Sequence, residues 1–251
     1  MIKKIKIELI ILGVLFLSIF FLYNFDIWLY NFFNSLDKTL QNTYLKQFFE
    51  QITILGDSKW YFLLSLFTIL ICYALNYFFP PKKKNSSLKV FLEISIFLFS
   101  SLFITGLITQ TLKHLVGRPR PSYVSLDNNI GFEFINLNSE FHSFPSGHTS
   151  TIFAVALVFI YFIPKLKYLF FSLAGLIAFS RIVVGAHFFT DILGGIVVSF
   201  IGIKIANLFI NKYFPTNKIE QINPFFDNKV FFSLSFFFLV MIFLSIGSSI
   251  D

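Results

Sequence analysis

The sequence predicts an all-α membrane protein, a polytopic helical bundle with a six-helix core and an additional C-terminal span. Three observations lead there. Of 251 residues, 56% are hydrophobic and 20% aromatic, while only 13% are charged, about half the share of an average globular chain. Apolar runs long enough to cross a bilayer recur along the chain, separated by polar or basic stretches. The cations gather in those stretches and not in a groove-like run, so the net charge of +7 reads as positive loops flanking membrane helices and not as a nucleic-acid surface. The chain is expected to form one integral membrane domain over 1–251, with the bilayer as its surroundings. The single cysteine, Cys72, lies inside an apolar run and excludes an intramolecular disulfide framework.

The elements follow in order. Lys3, Lys4 and Lys6 precede the apolar run 7–23, read as a retained first span with its N-terminus in the cytoplasm because no small-residue cleavage site follows. Residues 26–59 mix aromatic and polar side chains and suggest an amphipathic interfacial helix, with a plain connector as the alternative, and a loop ending at Gly56-Asp57. The second span is 60–79, with Trp60, Tyr61 and Tyr77 placed as headgroup anchors; Pro80-Pro81 ends it. The lysine-rich segment 82–89 is assigned to the cytoplasm. The third span, 90–112, runs outward and delivers Lys113 to the external face. Residues 114–144 are too polar to cross, and a loop of that length is expected to border a substrate entrance. The spans 149–163, 168–182 and 187–209 then alternate, and 230–246 is long enough for a seventh crossing.

Three polar constellations interrupt this apolar background. Lys113-His114-Leu115-Val116-Gly117-Arg118-Pro119-Arg120-Pro121 is a cation cluster whose prolines stop any helix. Phe144-Pro145-Ser146-Gly147-His148 stands before an apolar helix, where Ser146 can cap, Gly147 lets the backbone approach, and free N–H groups favour an anion; taken alone it is equally a plain helix start. Ser180-Arg181 is followed by His187 and Asp191, which share one face if the segment after Ala186 is helical. The alternating topology brings all three to one membrane face. Lys113, Arg120 and Arg181 suit a phosphate dianion, and imidazoles suit nucleophilic and acid–base work near neutrality. Arg118 is open between a phosphate or headgroup contact and a solvated charge. His114 and His142 have no assigned task.

Together these stretches resemble the type 2 phosphatidic acid phosphatase superfamily, which includes the vanadium haloperoxidases. Its pattern, Lys-x6-Arg-Pro, Pro-Ser-Gly-His and Ser-Arg-x5-His-x3-Asp, is matched by Lys113, Arg120, Pro121, Pro145, Ser146, Gly147, His148, Ser180, Arg181, His187 and Asp191. The resemblance covers roughly 90–210 and marks it as the catalytic core. It implies a hydrolase in which His187 becomes a phosphohistidine, Asp191 orients it, and His148 protonates the leaving alcohol and then activates water. Lys113, Arg120, Ser146, Gly147 and Arg181 would bind phosphate, with no metal and no cofactor.

The expected substrate is a lipid phosphate of a bacterial envelope, such as phosphatidic acid, phosphatidylglycerol phosphate, undecaprenyl diphosphate or a lipid A phosphate, met at the outer face of the inner membrane. A soluble haloperoxidase is disfavoured by the spans around every motif. A transporter or channel is the alternative from another class, since intramembrane charge also marks permeation paths.

Overall fold

Eight α-helices and two 3-10 turns build the described residues, 23–39, 44–79, 86–127 and 132–213, of the computed structural model, and no strand occurs among them. In chain order the helices are α1 (Tyr23–Thr39), α2 (Tyr44–Ile54), α3 (Ser58–Phe78), α4 (Ser86–Val116), α5 (Pro121–Asp127), α6 (Gly147–Phe162), α7 (Lys167–Val183) and α8 (Phe189–Tyr213). The stretches Gln47–Phe78, Leu88–Val116, Pro164–Val183 and Phe189–Ile210 are long and apolar enough to cross a membrane. The chain is a polytopic membrane helical bundle. The expected spans 7–23 and 230–246 lie outside the described residues, apart from Tyr23, as does the first half, 82–85, of the lysine-rich segment 82–89.

Helix α6 is the centre. It is apolar on every side and almost wholly buried, and α4, α7 and α8 pack around it. Its 16 residues rise about 24 Å at 1.5 Å each, short of a hydrocarbon core of roughly 30 Å, but it meets protein and not lipid. The outward faces of α3 and α4 carry Leu63, Phe67, Phe103 and Leu107 exposed, as a lipid-facing surface requires.

Close approach of α8 to its neighbours depends on glycine. A Cβ on Gly195 would lie 2.8 Å from the Ser146 carbonyl oxygen and 3.1 Å from the Ser150 nitrogen; one on Gly202 would lie 3.0 Å from the Thr105 Cα. Small residues let backbones come together where the surrounding solvent gives no hydrophobic drive between helices. Thr109 and Ser150, hydrogen-bonded at 3.0 Å, tie α4 to α6 in the same region.

Three expectations are corrected here. Residues 26–59 form two helices and the head of a third, and Asp26 is buried instead of facing an interface. Tyr61 turns inward, its hydroxyl donating to the Leu55 carbonyl at 2.7 Å, so it braces the α2–α3 turn and does not anchor at headgroups. Pro121 opens α5 and does not merely stop α4, which ends at Val116; a proline at the first helical position loses no hydrogen bond.

Gly195→Leu is expected to lower the melting temperature in detergent, by the equivalent of about 1–3 kcal/mol of overpacking. Gly175→Ala, whose Cβ meets nothing within 4 Å, leaves it unchanged or slightly raised. Equal melting of the two variants would contradict the packing described.

Candidate active site

Because successive spans run in opposite directions, the C-terminal ends of α4 and α7 meet the N-terminal ends of α6 and α8. A cavity of about 380 Å³ opens between them, lined by Lys113, Arg120, Gly147, His148, Arg181 and His187. Its far wall is the α2–α3 turn, Gly56 and Asp57, and its apolar depth reaches Phe62 and Leu102. The turn must be tight against the site. A Cβ on Gly56 would come within 2.9 Å of His148 Cβ and Cδ2.

The three cations are held by neutral groups. The Lys113 ammonium donates to the His142 carbonyl, Arg181 Nη1 donates to Thr53 Oγ1 at 2.6 Å, and Arg120 Nε donates to the Ser139 carbonyl at 3.1 Å. The Nε of Arg181 is buried with no partner. Among the described residues no carboxylate forms an ion pair with any of these three. Asp57 also lines the cavity, but it accepts from the Lys59 backbone N–H at 3.1 Å and pairs with the Lys59 ammonium at 3.1 Å. Converging charges without counter-ions are costly unless an anion joins them, and Gly147 and His148, at the start of α6, line the same space.

His187 sits in the turn before α8, 4% exposed, with Nδ1 3.6 Å from Asp191 Oδ2. That is longer than a hydrogen bond, and Nδ1 has no other partner. The pairing does not come from a shared helical face, since α8 begins at Phe189. It arises because Asp191 reaches back to accept the Phe188 N–H at 2.8 Å, while the turn is made by Gly185 at φ +70°. Burial is the chief cause that lowers the His187 pKa to about 4, against the opposing pull of Asp191. The ring is therefore neutral at neutral pH and free to act as a nucleophile.

Behind His187 lies a network that sequence reasoning missed. Arg118 is 4% exposed, and its Nη1 donates to Asp191 Oδ1 at 2.6 Å and to Thr190 Oγ1 at 2.6 Å, while Nη2 donates to Asp26 Oδ2 at 2.8 Å. Ser143 Oγ donates to Asp191 Oδ2 at 2.6 Å. Asp26 in turn accepts the Thr190 N–H at 2.9 Å and the Thr190 hydroxyl. Burial works against the Arg118 charge, but Asp191 and Asp26 outweigh it and raise its pKa. Arg118 is thus no solvated charge and no headgroup contact; it clamps α1 to the start of α8. The readable signal was Asp26 itself, a carboxylate among aromatic residues beside an apolar run.

The other sequence-named residues are placed as follows. Ser146 is buried as the N-cap of α6, its Oγ accepting from the Thr149 hydroxyl at 3.0 Å, and it does not line the cavity. His114 and His142 lie outside the cavity, each bonded to a backbone carbonyl, of Gln110 and Asn136 respectively. No group of three or more His, Cys, Asp or Glu side chains among the described residues is arranged to hold a metal ion.

Comparisons with known proteins agree with the geometry. Residues 95–215 match the sequence pattern of the PAP2 superfamily. The lipid A 1-phosphatase of Rhizobium etli is 29% identical over 161 residues, covering 61% of this chain and 66% of that protein, so the chain spans just under two thirds of that relative's length. Among solved structures, LpxE from Aquifex aeolicus aligns with TM-score 0.50 and 22% identity over 73% of this chain and 95% of that one. The first transmembrane PAP2 type phosphatidylglycerolphosphate phosphatase from Bacillus subtilis aligns with TM-score 0.52 and 22% identity over 80% and 96%. At these identities the structural matches speak for the fold alone.

Two outcomes are expected. Arg118→Ala leaves Asp26 and Asp191 buried without their cation, and thermal unfolding in detergent should show a loss of about 3–5 kcal/mol; melting like the parent would contradict the clamp. Histidine-selective NMR titration should give His187 a midpoint nearer 4 than 6.5, the neutral ring persisting into mildly acidic solution. A midpoint at or above 6.5 would contradict the burial assigned to it.

Proposed function

We propose, from the premise that this chain belongs to the PAP2 superfamily, that it is a membrane lipid phosphatase working through a phosphohistidine. The observation that carries this reading is the ring of three cations, without carboxylate partners among the described residues, around a buried neutral histidine. Lys113, Arg120 and Arg181 neutralise and orient the phosphoryl oxygens, and the N–H groups at the start of α6 complete the cradle. Phosphoryl transfer asks the protein chiefly for positioning and charge stabilisation.

With Nδ1 turned to Asp191, Nε2 of His187 is the attacking atom. Burial first, and then the Arg181 charge, hold the His148 pKa down to about 3, and a bound phosphate dianion raises it again by favouring the protonated ring. The P–N bond forms as the P–O bond to the lipid alcohol breaks, and the proton of His148 passes to the departing oxygen. His148 then takes a proton from water, whose oxygen attacks phosphorus as the P–N bond breaks, releasing inorganic phosphate. Asp191 stabilises the positive imidazole ring that exists between the two steps. No step requires a metal.

The substrate presents its phosphate at an interface. Lipid A phosphate, phosphatidylglycerol phosphate, undecaprenyl diphosphate and phosphatidic acid all meet that demand, and the first three classes appear in the names of relatives in sequence. The positive-inside distribution of lysines supports a cytoplasmic N-terminus and a site on the periplasmic or external face of the inner membrane. Against a transporter stands the placement of the charges at span ends around one pocket instead of along a path.

Purified protein in mixed micelles should release phosphate from members of this lipid panel and retain that activity in chelator. Loss of activity on chelation, restored by a divalent ion, would overturn the charge assignment. His187→Ala should abolish turnover of every substrate. His148→Ala should cost about 10²–10⁴-fold with lipid, and less with an aryl phosphate whose leaving group needs no proton. Equal losses on both substrates would remove the acid role from His148.

A further inference from the structure

The segment 132–137 is built in a way that phosphate chemistry does not explain. Phe134, Ile135 and Leu137 are 74%, 79% and 81% exposed, and Phe132 is 44% exposed. They are not on a loose strand. The Glu133 N–H donates to the Gly117 carbonyl at 2.8 Å, the Asn136 N–H to the His114 carbonyl at 3.1 Å and the Ile135 N–H to the Leu115 carbonyl at 3.4 Å. The fit is close enough that a Cβ on Gly117 would overlap the Glu133 carbonyl oxygen. The polar side chains of the segment satisfy each other, Asn136 Nδ2 donating to Glu133 Oε2 at 2.6 Å.

Ile135 adopts φ +60°, the only non-glycine residue with positive φ among those described. A β-branched side chain is disfavoured there, and glycine or asparagine would satisfy the same backbone with less strain. An isoleucine in that place makes physical sense only if its side chain meets something apolar. What it adjoins is the exposed stripe Phe103, Leu107 and Leu115 on the membrane-spanning α4, which its backbone bond to Leu115 extends past the helix end.

We infer that residues 132–137 form a fixed anchor seated in the headgroup and upper acyl region of the leaflet on the side of the site. Its partner is the phospholipid surface. The segment then continues into the site: the Glu140 carbonyl accepts the Arg120 N–H at 2.8 Å, the Ser139 carbonyl accepts Arg120 Nε, and the His142 carbonyl accepts the Lys113 ammonium. One stretch of chain therefore holds lipid at one end and two of the cavity's cations at the other, setting the depth at which a lipid phosphate meets them.

The test uses the full chain in phosphatidylethanolamine and phosphatidylglycerol vesicles, with Cys72→Ser as background. Spin labels at Phe134→Cys and Leu137→Cys should relax more with oxygen than with an aqueous nickel chelate, and a label at Glu140→Cys the reverse. Dominance of the nickel chelate at 134 and 137 overturns the anchor. Spin–spin broadening there overturns it too, because the partner would then be a second copy. Ile135→Asn should melt in detergent no lower than the parent, yet hydrolyse vesicle lipid roughly fivefold more slowly, with a water-soluble short-chain phosphate unaffected. Equal rates on both substrates for variant and parent would remove the functional consequence. That last arm rests on the proposed phosphatase activity; the spin-label depth does not, so failure of the anchor and failure of the enzymatic reading give different results.

Discussion

A carboxylate withdrawn from water keeps its charge only where other donors replace the solvent, and Asp191 is such a group, with no exposure at all. One of its oxygens takes the Arg118 guanidinium; the other takes the Ser143 hydroxyl and the Phe188 N–H and faces His187. Through those contacts the carboxylate joins the 117–120 turn, the approach to α6 and the start of α8. Its own backbone carbonyl accepts the Ser146 N–H at 3.0 Å, which fixes the cap of α6 to the same point. The cavity is a consequence of this junction. Remove it, and the helix ends that carry His148, His187 and the cations have no common reference.

The balance of charge around the junction divides the site into two zones. Behind His187 two carboxylates enclose one guanidinium, so the cation of that zone is paired within the protein and the zone's balance is negative. In front of it Lys113, Arg120 and Arg181 rest, among the described residues, on carbonyls and a hydroxyl. Such neutral acceptors orient a cation without cancelling it, which leaves its charge available to a bound anion. A neutral imidazole standing between a negative and a positive zone is suited to donating electrons forward while its developing charge is stabilised from behind.

Much of this was legible in the sequence, and the parts that were not share a cause. Apolar length and aromatic content marked the spans within a few residues, as in α4, α6 and α7, because each helix states its own membrane need locally. The site residues could be named because three short stretches resemble a known family's pattern, and the alternation of spans then places those stretches on one face. Arg118 and Asp26 could not be paired, since 92 positions separate them and their attraction exists only once α1 packs on α8. Tyr61 looked like a headgroup anchor because a ring beside a span end suits that place equally well, and only the fold decides which way it turns. The strain at Ile135 has no sequence signature at all, for nothing in Phe134-Ile135-Asn136 announces a left-handed residue.

The central claim is that His187, and not another group in the cavity, takes the phosphoryl from the lipid. Rapid mixing of the protein with lipid labelled in its phosphate, followed by alkaline quench and peptide mapping, measures this directly, since a phosphohistidine survives base. Label is expected on residue 187, absent in His187→Ala and discharged by water in the parent. Label on His148, or turnover with no covalent label on any histidine at any mixing time, would contradict it.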